Sequence, residues 1–118
     1  MTIRQAAEVL GSAVICHDDL ADKEIHTACG SDMMSDVMAF YHDGGILLTG
    51  LMNVQVIRTA SLMDIDAVCF VRGKDPTEEM LALAEESNIV VFKTEFPMFH
   101  ACGKLYEAGI KGNDQAKN

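Results

Sequence analysis

The chain has few basic residues, no long apolar run and no closely paired cysteines, and each absence excludes a class of protein. Nine Lys and Arg residues stand against 18 Asp and Glu residues, giving a formal net charge of −9. That charge repels phosphates, so the composition argues against binding to DNA or RNA. No apolar stretch approaches the roughly 18 residues of a membrane-spanning helix, and the N-terminus lacks a signal-peptide core. We therefore expect a cytoplasmic protein that does not contact the membrane.

The four cysteines include no C-x-x-C pair, and nothing indicates the secretory setting in which disulfides form. Cys16 and Cys69 lie in apolar runs typical of buried strands, so both are expected to fill the core. Cys29 and Cys102 lie in two copies of Ala-Cys-Gly, and they define the alternative function, a metal-binding or thiol-redox protein. Cys29 is the better candidate, because a helix N-terminus after it could lower its pKa, whereas Asp32 and Asp36 would act in the opposite direction. Gly103 is expected to mark close packing of a helix on the sheet.

The spacing of apolar residues predicts an α/β domain with a mainly parallel sheet. A first helix is expected behind Thr2, with Gly11 at its end. Residues 12–17 and 24–29 are expected to form strands that pair antiparallel, because too few residues join them for a parallel crossover. Three further strands alternate with segments of helical period, which predicts right-handed crossovers between parallel strands. These strands are predicted at residues 45–50, 67–71 and 89–94.

Capping residues mark the starts of the later helices. Ser31 or Asp32 is expected to cap the second helix, and Asn53 the third. Residues 75–78, Asp-Pro-Thr-Glu, are expected to open the fourth helix with Pro at its first position. The last helix is predicted from about residue 95. The second helix is expected to end at residues 43–45 and to pack through Met34, Val37, Met38 and Tyr41.

Motifs for catalysis and for metal or phosphate binding are missing from the sequence. It contains no G-x-x-x-x-G-K-[ST] or G-x-G-x-x-G loop and no G-x-S-x-G elbow. The histidines form no H-E-x-x-H pattern, so no metal site and no cofactor are predicted. We therefore expect a protein that is not an enzyme. An enzyme is the last-ranked alternative, and its first acid or base candidates would be Asp32, Asp36 and His26.

Polar residues follow the carboxyl ends of the predicted parallel strands. Ligands of open α/β sheets collect at this edge, so the turns there are expected to share one rim. Two cations and free helix N-terminal amides could hold a nucleotide or small anion at this rim. Capping and turn chemistry would also account for the same residues, and both interpretations stay open at this point. The candidate ligand-binding residues are Gly30, Ser31, Asp32, Thr49, Gly50, Asn53, Arg72, Gly73, Lys74 and Thr94.

The ordered string CGSDMMSDVMAF at residues 29–40, followed by residues 46–110 from ILLTGLMNVQVIRTA to KLYEAGI, resembles the small stand-alone DRTGG-domain proteins of anaerobic bacteria and archaea. The resemblance covers nearly the whole chain. It implies a three-layer α/β/α sandwich like the N-terminal domain of HPr kinase/phosphorylase, as one domain over residues 1–110 with a polar tail at 111–118. It also implies a homodimer and a non-catalytic regulatory or sensory module, with a redox enzyme related to hydrogenase metabolism as partner.

The sequence departs from that family at the motif that names it. The literal DRTGG string is absent, and its nearest analogues are LLTGL at residues 47–51 and VRGKDP at residues 71–76. The kinase that shares the fold works through a separate phosphate-binding domain, which this sequence does not contain. The resemblance therefore implies a binding or interaction module and gives no ground for kinase activity.

Overall fold

A computed structural model of the chain describes residues 1–40 and 44–112, and these residues form one α/β sandwich. No helix within these two ranges is long and apolar enough to cross a membrane. The helices are α1 (Ile3–Val9), α2 (Met34–Phe40), α3 (Val54–Leu62), α4 (Glu78–Glu86) and α5 (Met98–Glu107). The strands are β1 (Val14–Cys16), β2 (Ala28–Gly30), β3 (Ile46–Thr49), β4 (Ala67–Phe70) and β5 (Val90–Lys93).

The sheet has the strand order β1-β5-β4-β3-β2, and only β1 runs antiparallel to its neighbour. This confirms the predicted parallel sheet of four strands with an antiparallel N-terminal strand. The predicted pairing of the first two strands is wrong, because β1 and β2 lie at opposite edges. Residues 24–27 belong to the connection and not to β2, and the longer connection reaches across the sheet.

The two faces of the sheet carry separate apolar layers. All residues of β3 and β4 are buried, as expected for parallel strands covered on both sides. Helices α1 and α5 pack on one face, and α2, α3 and α4 pack on the other. Cys69 lies in the first layer and Cys16 in the second, and both are buried as predicted. The three-layer α/β/α sandwich is confirmed.

Helix starts agree with the predicted caps at two positions and differ at two others. Thr2 and Asn53 cap α1 and α3 through their side chains. Helix α4 is capped by Thr77 and not by Asp75, because the Asp75 carboxylate pairs with Lys93. Helix α5 begins after Pro97 instead of near residue 95.

Helix α2 buries less of its predicted apolar stripe than expected. Val37 is buried, Met34 is half-buried, and Met38 is 45% exposed. The helix lies near the edge strand β2, which has only three residues and offers little surface to cover. Tyr41 and residue 43, which were also predicted to shape this helix, lie outside the described residues, as does the tail from residue 113.

Candidate functional site

Gly50 lies at the centre of the predicted rim, directly after β3. Its N–H donates to Asp32 Oδ1 at 2.7 Å, and its carbonyl accepts a hydrogen bond from Lys74 Nζ at 2.8 Å. The Arg72 guanidinium lies where a Cβ on Gly50 would be. The turns after β2, β3 and β4 therefore converge on one backbone position. We call Asp32, Gly50, Arg72 and Lys74 the Gly50 cluster.

The Asp32 carboxylate is fixed by neighbours that favour its charged form. The hydrogen bond from the Gly50 N–H lowers the pKa of Asp32, and the Thr49 hydroxyl at 3.1 Å adds to this effect. The charges of Arg72 and Lys74 lower that pKa further. This shift is opposite to the one that a general acid or base needs near neutral pH. The contacts of Asp32 therefore orient the rim and do not prepare a proton transfer.

Arg72 has an unusual backbone conformation. Its φ of 61° lies in the left-handed region, and Gly73 follows with a φ of 67°. The N–H groups of these two residues donate to the carbonyls of Phe96 at 2.9 Å and Thr94 at 2.8 Å, which hold the turn in place. The Arg72 side chain is exposed and has no hydrogen-bond or ion-pair partner among residues 1–40 and 44–112. A cation with no hydrogen bond or close ion pair in the described part of the chain, which acts on Asp32 only at longer range, is therefore held at the rim by a strained backbone.

The other predicted rim residues mostly support the fold. Thr49 is fully buried between Asp32 and the Leu51 N–H. Asn53 caps α3, and Ser31 Oγ accepts a hydrogen bond from Met33 N–H at 3.0 Å. These groups are occupied by capping and turn contacts. The ligand-accessible part of the predicted site is therefore formed by the side chains of Asp32, Arg72 and Lys74 around the buried Gly50, with the turn at Gly73 next to Arg72. Gly30 packs instead against Cys102 and Met98 of α5.

Thr94 is enclosed in the interior. It is 2% exposed, and its hydroxyl donates to the Leu10 carbonyl at 2.9 Å and accepts from Phe96 N–H at 3.3 Å. The hydroxyl connects the end of α1 to the end of β5. Sequence reasoning placed Thr94 at the correct end of its strand, but only packing could show that α1 covers it.

Replacing Thr94 by valine is expected to lower the free energy of unfolding by about 1–3 kcal/mol, because the buried Leu10 carbonyl loses its donor. Urea denaturation measures this change. Thr27 provides the matched control, because its buried hydroxyl has no hydrogen-bond partner in the described part of the chain. Thr27→Val is expected to be neutral or stabilising. Equal losses for the two variants would show that the Thr94 hydroxyl has no structural role.

Cys29 and Cys102 do not form the pair that the thiol alternative requires. Cys29 packs with the layer of α2, α3 and α4, whereas Cys102 packs with the layer of α1 and α5. Burial raises the pKa of both thiols, and electrostatic interactions with Cys102 and Asp36 raise that of Cys29 further, so a lowered pKa at Cys29 is wrong and the opposing effect of Asp36 is confirmed. Among the described residues no group of three or more His, Cys, Asp or Glu side chains could hold a metal.

Gly103 also differs from its prediction. It is exposed, and a Cβ there would have no atom within 4 Å, so it does not mark close packing on the sheet. Gly30 has that property instead, because a Cβ on it would lie 2.7 Å from Cys102 Sγ. Sequence reasoning also missed the cavity between β2 and α5, which Leu105, Tyr106 and Lys111 border. No local signal marks it, because it depends on the return of residue 111 to the edge of β2.

This architecture also occurs in a solved structure, although no protein-family model and no curated protein matches the chain. Among solved structures, it is similar to the CBS and DRTGG domains of the regulatory region of Clostridium perfringens pyrophosphatase, complexed with the activator diadenosine tetraphosphate. The TM-score is 0.68 at 16% sequence identity, over 92% of this chain and 50% of that one. The chain has a DRTGG-like fold.

The DRTGG-like fold agrees with the resemblance that residues 29–40 and 46–110 indicate. Both segments contribute to it: the first supplies the end of β2 and α2, and the second supplies the strands β3, β4 and β5 with their helices. The chain spans half the length of the pyrophosphatase regulatory region. At this level of identity the likeness establishes the DRTGG-like fold alone.

Proposed function

We propose that this chain is a non-catalytic regulatory domain that binds a phosphate-bearing nucleotide at the Gly50 cluster. The structural neighbour is a regulatory region complexed with the activator diadenosine tetraphosphate, which supports a ligand of this class. The rim supplies an exposed guanidinium and a half-buried ammonium group, the two side-chain types that bind phosphates in proteins.

The Arg72 side chain carries this proposal, because it is exposed and makes no hydrogen bond or close ion pair among residues 1–40 and 44–112. A left-handed Arg costs roughly 1–2 kcal/mol relative to glycine, and Gly follows it directly, so the turn does not need Arg for its shape. A planar guanidinium can bind a phosphate through two parallel hydrogen bonds. The chain's net charge of −9 opposes the approach of anions, so affinity must come from close contacts at the rim.

Gly50→Ala tests the proposal without removing a charge. The new Cβ would displace the Arg72 guanidinium, which is the flexible end of a long side chain, and Gly50 has no positive φ to strain. We expect diadenosine tetraphosphate, measured by isothermal titration calorimetry, to bind the wild type and to bind Gly50→Ala at least about tenfold more weakly.

Gly103→Ala is the matched control for that titration, because its Cβ meets no atom within 4 Å. It is expected to keep wild-type affinity and to gain up to about 1 kcal/mol in stability, since Gly is costly inside a helix. Equal affinity of Gly50→Ala and the wild type, or no binding of diadenosine tetraphosphate and ATP to the wild type, would overturn the proposed site.

Helix α5 supports the proposal of a homodimer. Phe99 is 91% exposed and Tyr106 is 60% exposed on the outer side of this helix. In an antiparallel α5–α5 contact, each of these aromatic side chains would cover the partner's helix around a two-fold axis.

The redox-enzyme partner rests on the sequence resemblance alone. Cys29 and Cys102 give it no support, because their thiols have raised pKa values and pack in different apolar layers. We therefore propose nucleotide-linked regulation as the function, and a thiol-based function is not favoured by the geometry.

A further inference from the structure

A cavity of about 220 Å³ lies between the edge strand β2 and helix α5. Its walls are largely apolar and include Leu48, Leu105 and Ile110. Cys29 and Cys102 also border it, and burial raises the pKa of both thiols, so they are uncharged at neutral pH. A cavity of roughly 150 Å³ lined by aliphatic side chains binds benzene. This one therefore has room for a somewhat larger ring.

One charged side chain, Lys111, lies at the mouth of the cavity. Lys111 Nζ lies 3.8 Å from the centre of the Tyr106 ring and donates to the Tyr106 carbonyl at 3.3 Å. Lys111 is the one charged side chain among the described residues that line the cavity. Lys111 lies at the mouth beside Tyr106, so the apolar interior offers no counter-charge, and burying a charged group among these walls would be costly. The cavity therefore favours an uncharged ligand.

Peptide groups of β2 give the cavity a polar edge. Ile46 N–H donates to the Thr27 carbonyl, and Ser31 N–H donates to the Leu48 carbonyl, so the odd-numbered peptide groups of this segment face β3. Because peptide groups alternate along a strand, those of Ala28 and Gly30 face away from β3. The Ala28 N–H donates outward to the Lys111 carbonyl at 3.1 Å, which agrees with this alternation. The N–H and C=O of Gly30 then point to the open edge, where Gly30 lines the cavity.

We propose that this cavity binds a flat, uncharged heteroaromatic ring of nucleobase type, whose adjacent donor and acceptor pair with the N–H and C=O of Gly30. The apolar walls accept the faces of the ring. The inference is independent of the proposed phosphate site, because no residue of the Gly50 cluster lines the cavity.

Adenine, which carries no phosphate, is the probe for this site. In a ¹H–¹⁵N NMR titration of the labelled chain, we expect the Gly30 amide resonance to shift saturably and the exposed Gly103 amide to stay unchanged. Toluene has the ring but no hydrogen-bonding edge, so it should bind at least about tenfold more weakly. An unmoved Gly30 resonance at millimolar adenine, or equal binding of toluene, would overturn the proposal.

Cys102→Leu adds volume inside the cavity, and it is expected to weaken adenine binding at least about tenfold. Gly103→Ala is the matched control on the same helix, facing away from the cavity, and should bind adenine like the wild type. Unchanged binding to Cys102→Leu would show that adenine binds elsewhere. If Cys102→Leu does not fold, the wild-type titration with adenine and toluene still decides the question.

Discussion

Replacing Phe70 by alanine is expected to lower the free energy of unfolding by about 3–5 kcal/mol, a large part of the stability of a domain of this size. Phe70 lies on the central strand β4 and is fully buried against the layer of α3 and α4. The truncation removes transfer free energy and leaves a cavity that neighbouring side chains fill only partly. Urea denaturation followed by circular dichroism measures the change.

Phe99→Ala is the same chemical change at a side chain that is 91% exposed. At low protein concentration its free energy of unfolding should stay within about 0.5 kcal/mol of the wild-type value. If α5 forms the homodimer contact, sedimentation at higher concentration should show Phe99→Ala shifted from dimer to monomer. Equal destabilisation by both truncations would contradict the burial of Phe70, and an unshifted dimer would exclude the α5 contact.

Replacing Arg72 by glycine is expected to separate stability from ligand binding. Glycine adopts a φ of 61° without the steric penalty that Arg has there, which stabilises the folded state. Glycine also gives the unfolded chain more conformational entropy, which offsets part of this gain. The free energy of unfolding should therefore rise by about 0.5–1 kcal/mol. The same variant removes the free guanidinium. Affinity for diadenosine tetraphosphate should therefore fall at least about tenfold, as the loss of charged hydrogen bonds requires.

Asp64→Gly is the control for the backbone effect. Asp64 has a φ of 55° just after α3 and takes no part in the Gly50 cluster. Its replacement should raise stability by a similar amount and leave affinity unchanged. Arg58→Ala, which removes an exposed Arg from α3, controls for the lost charge. Retained affinity in Arg72→Gly would contradict the proposed role of Arg72, and a loss of stability would contradict the strain at this position.

The parts of the fold that follow from local pattern were predictable from the sequence. The apolar runs predicted the strands β3, β4 and β5. The side-chain types of Thr2 and Asn53 predicted the caps of α1 and α3. The neighbours of β1 and β2 were not predictable in this way. Both strands are short, and their positions at opposite edges depend on tertiary contacts of the connection, such as the hydrogen bond from Ile3 N–H to the Lys23 carbonyl.

The candidate site was likewise predictable only where it depends on local pattern and topology rules. The convergence of Asp32, Gly50 and Lys74 follows from one rule, that the turns after parallel strands share an edge. The enclosure of Thr94 and the raised pKa of Cys29 depend on which helix covers each group, and one sequence does not contain that information. The left-handed backbone of Arg72 is likewise visible only in the structure.

The antiparallel edge strand β1 has a consequence for how the chain is made. Val14 pairs with Phe92 and Cys16 with Val91, so the first strand of this domain depends on its last strand, which is synthesised later. Such distant partners make for slow folding, because a long loop must close before β1 can pair with β5. Until residues 90–93 are synthesised, β1 has no strand to pair with. Its backbone N–H and C=O groups therefore lack their sheet hydrogen bonds while the residues between β1 and β5 are made.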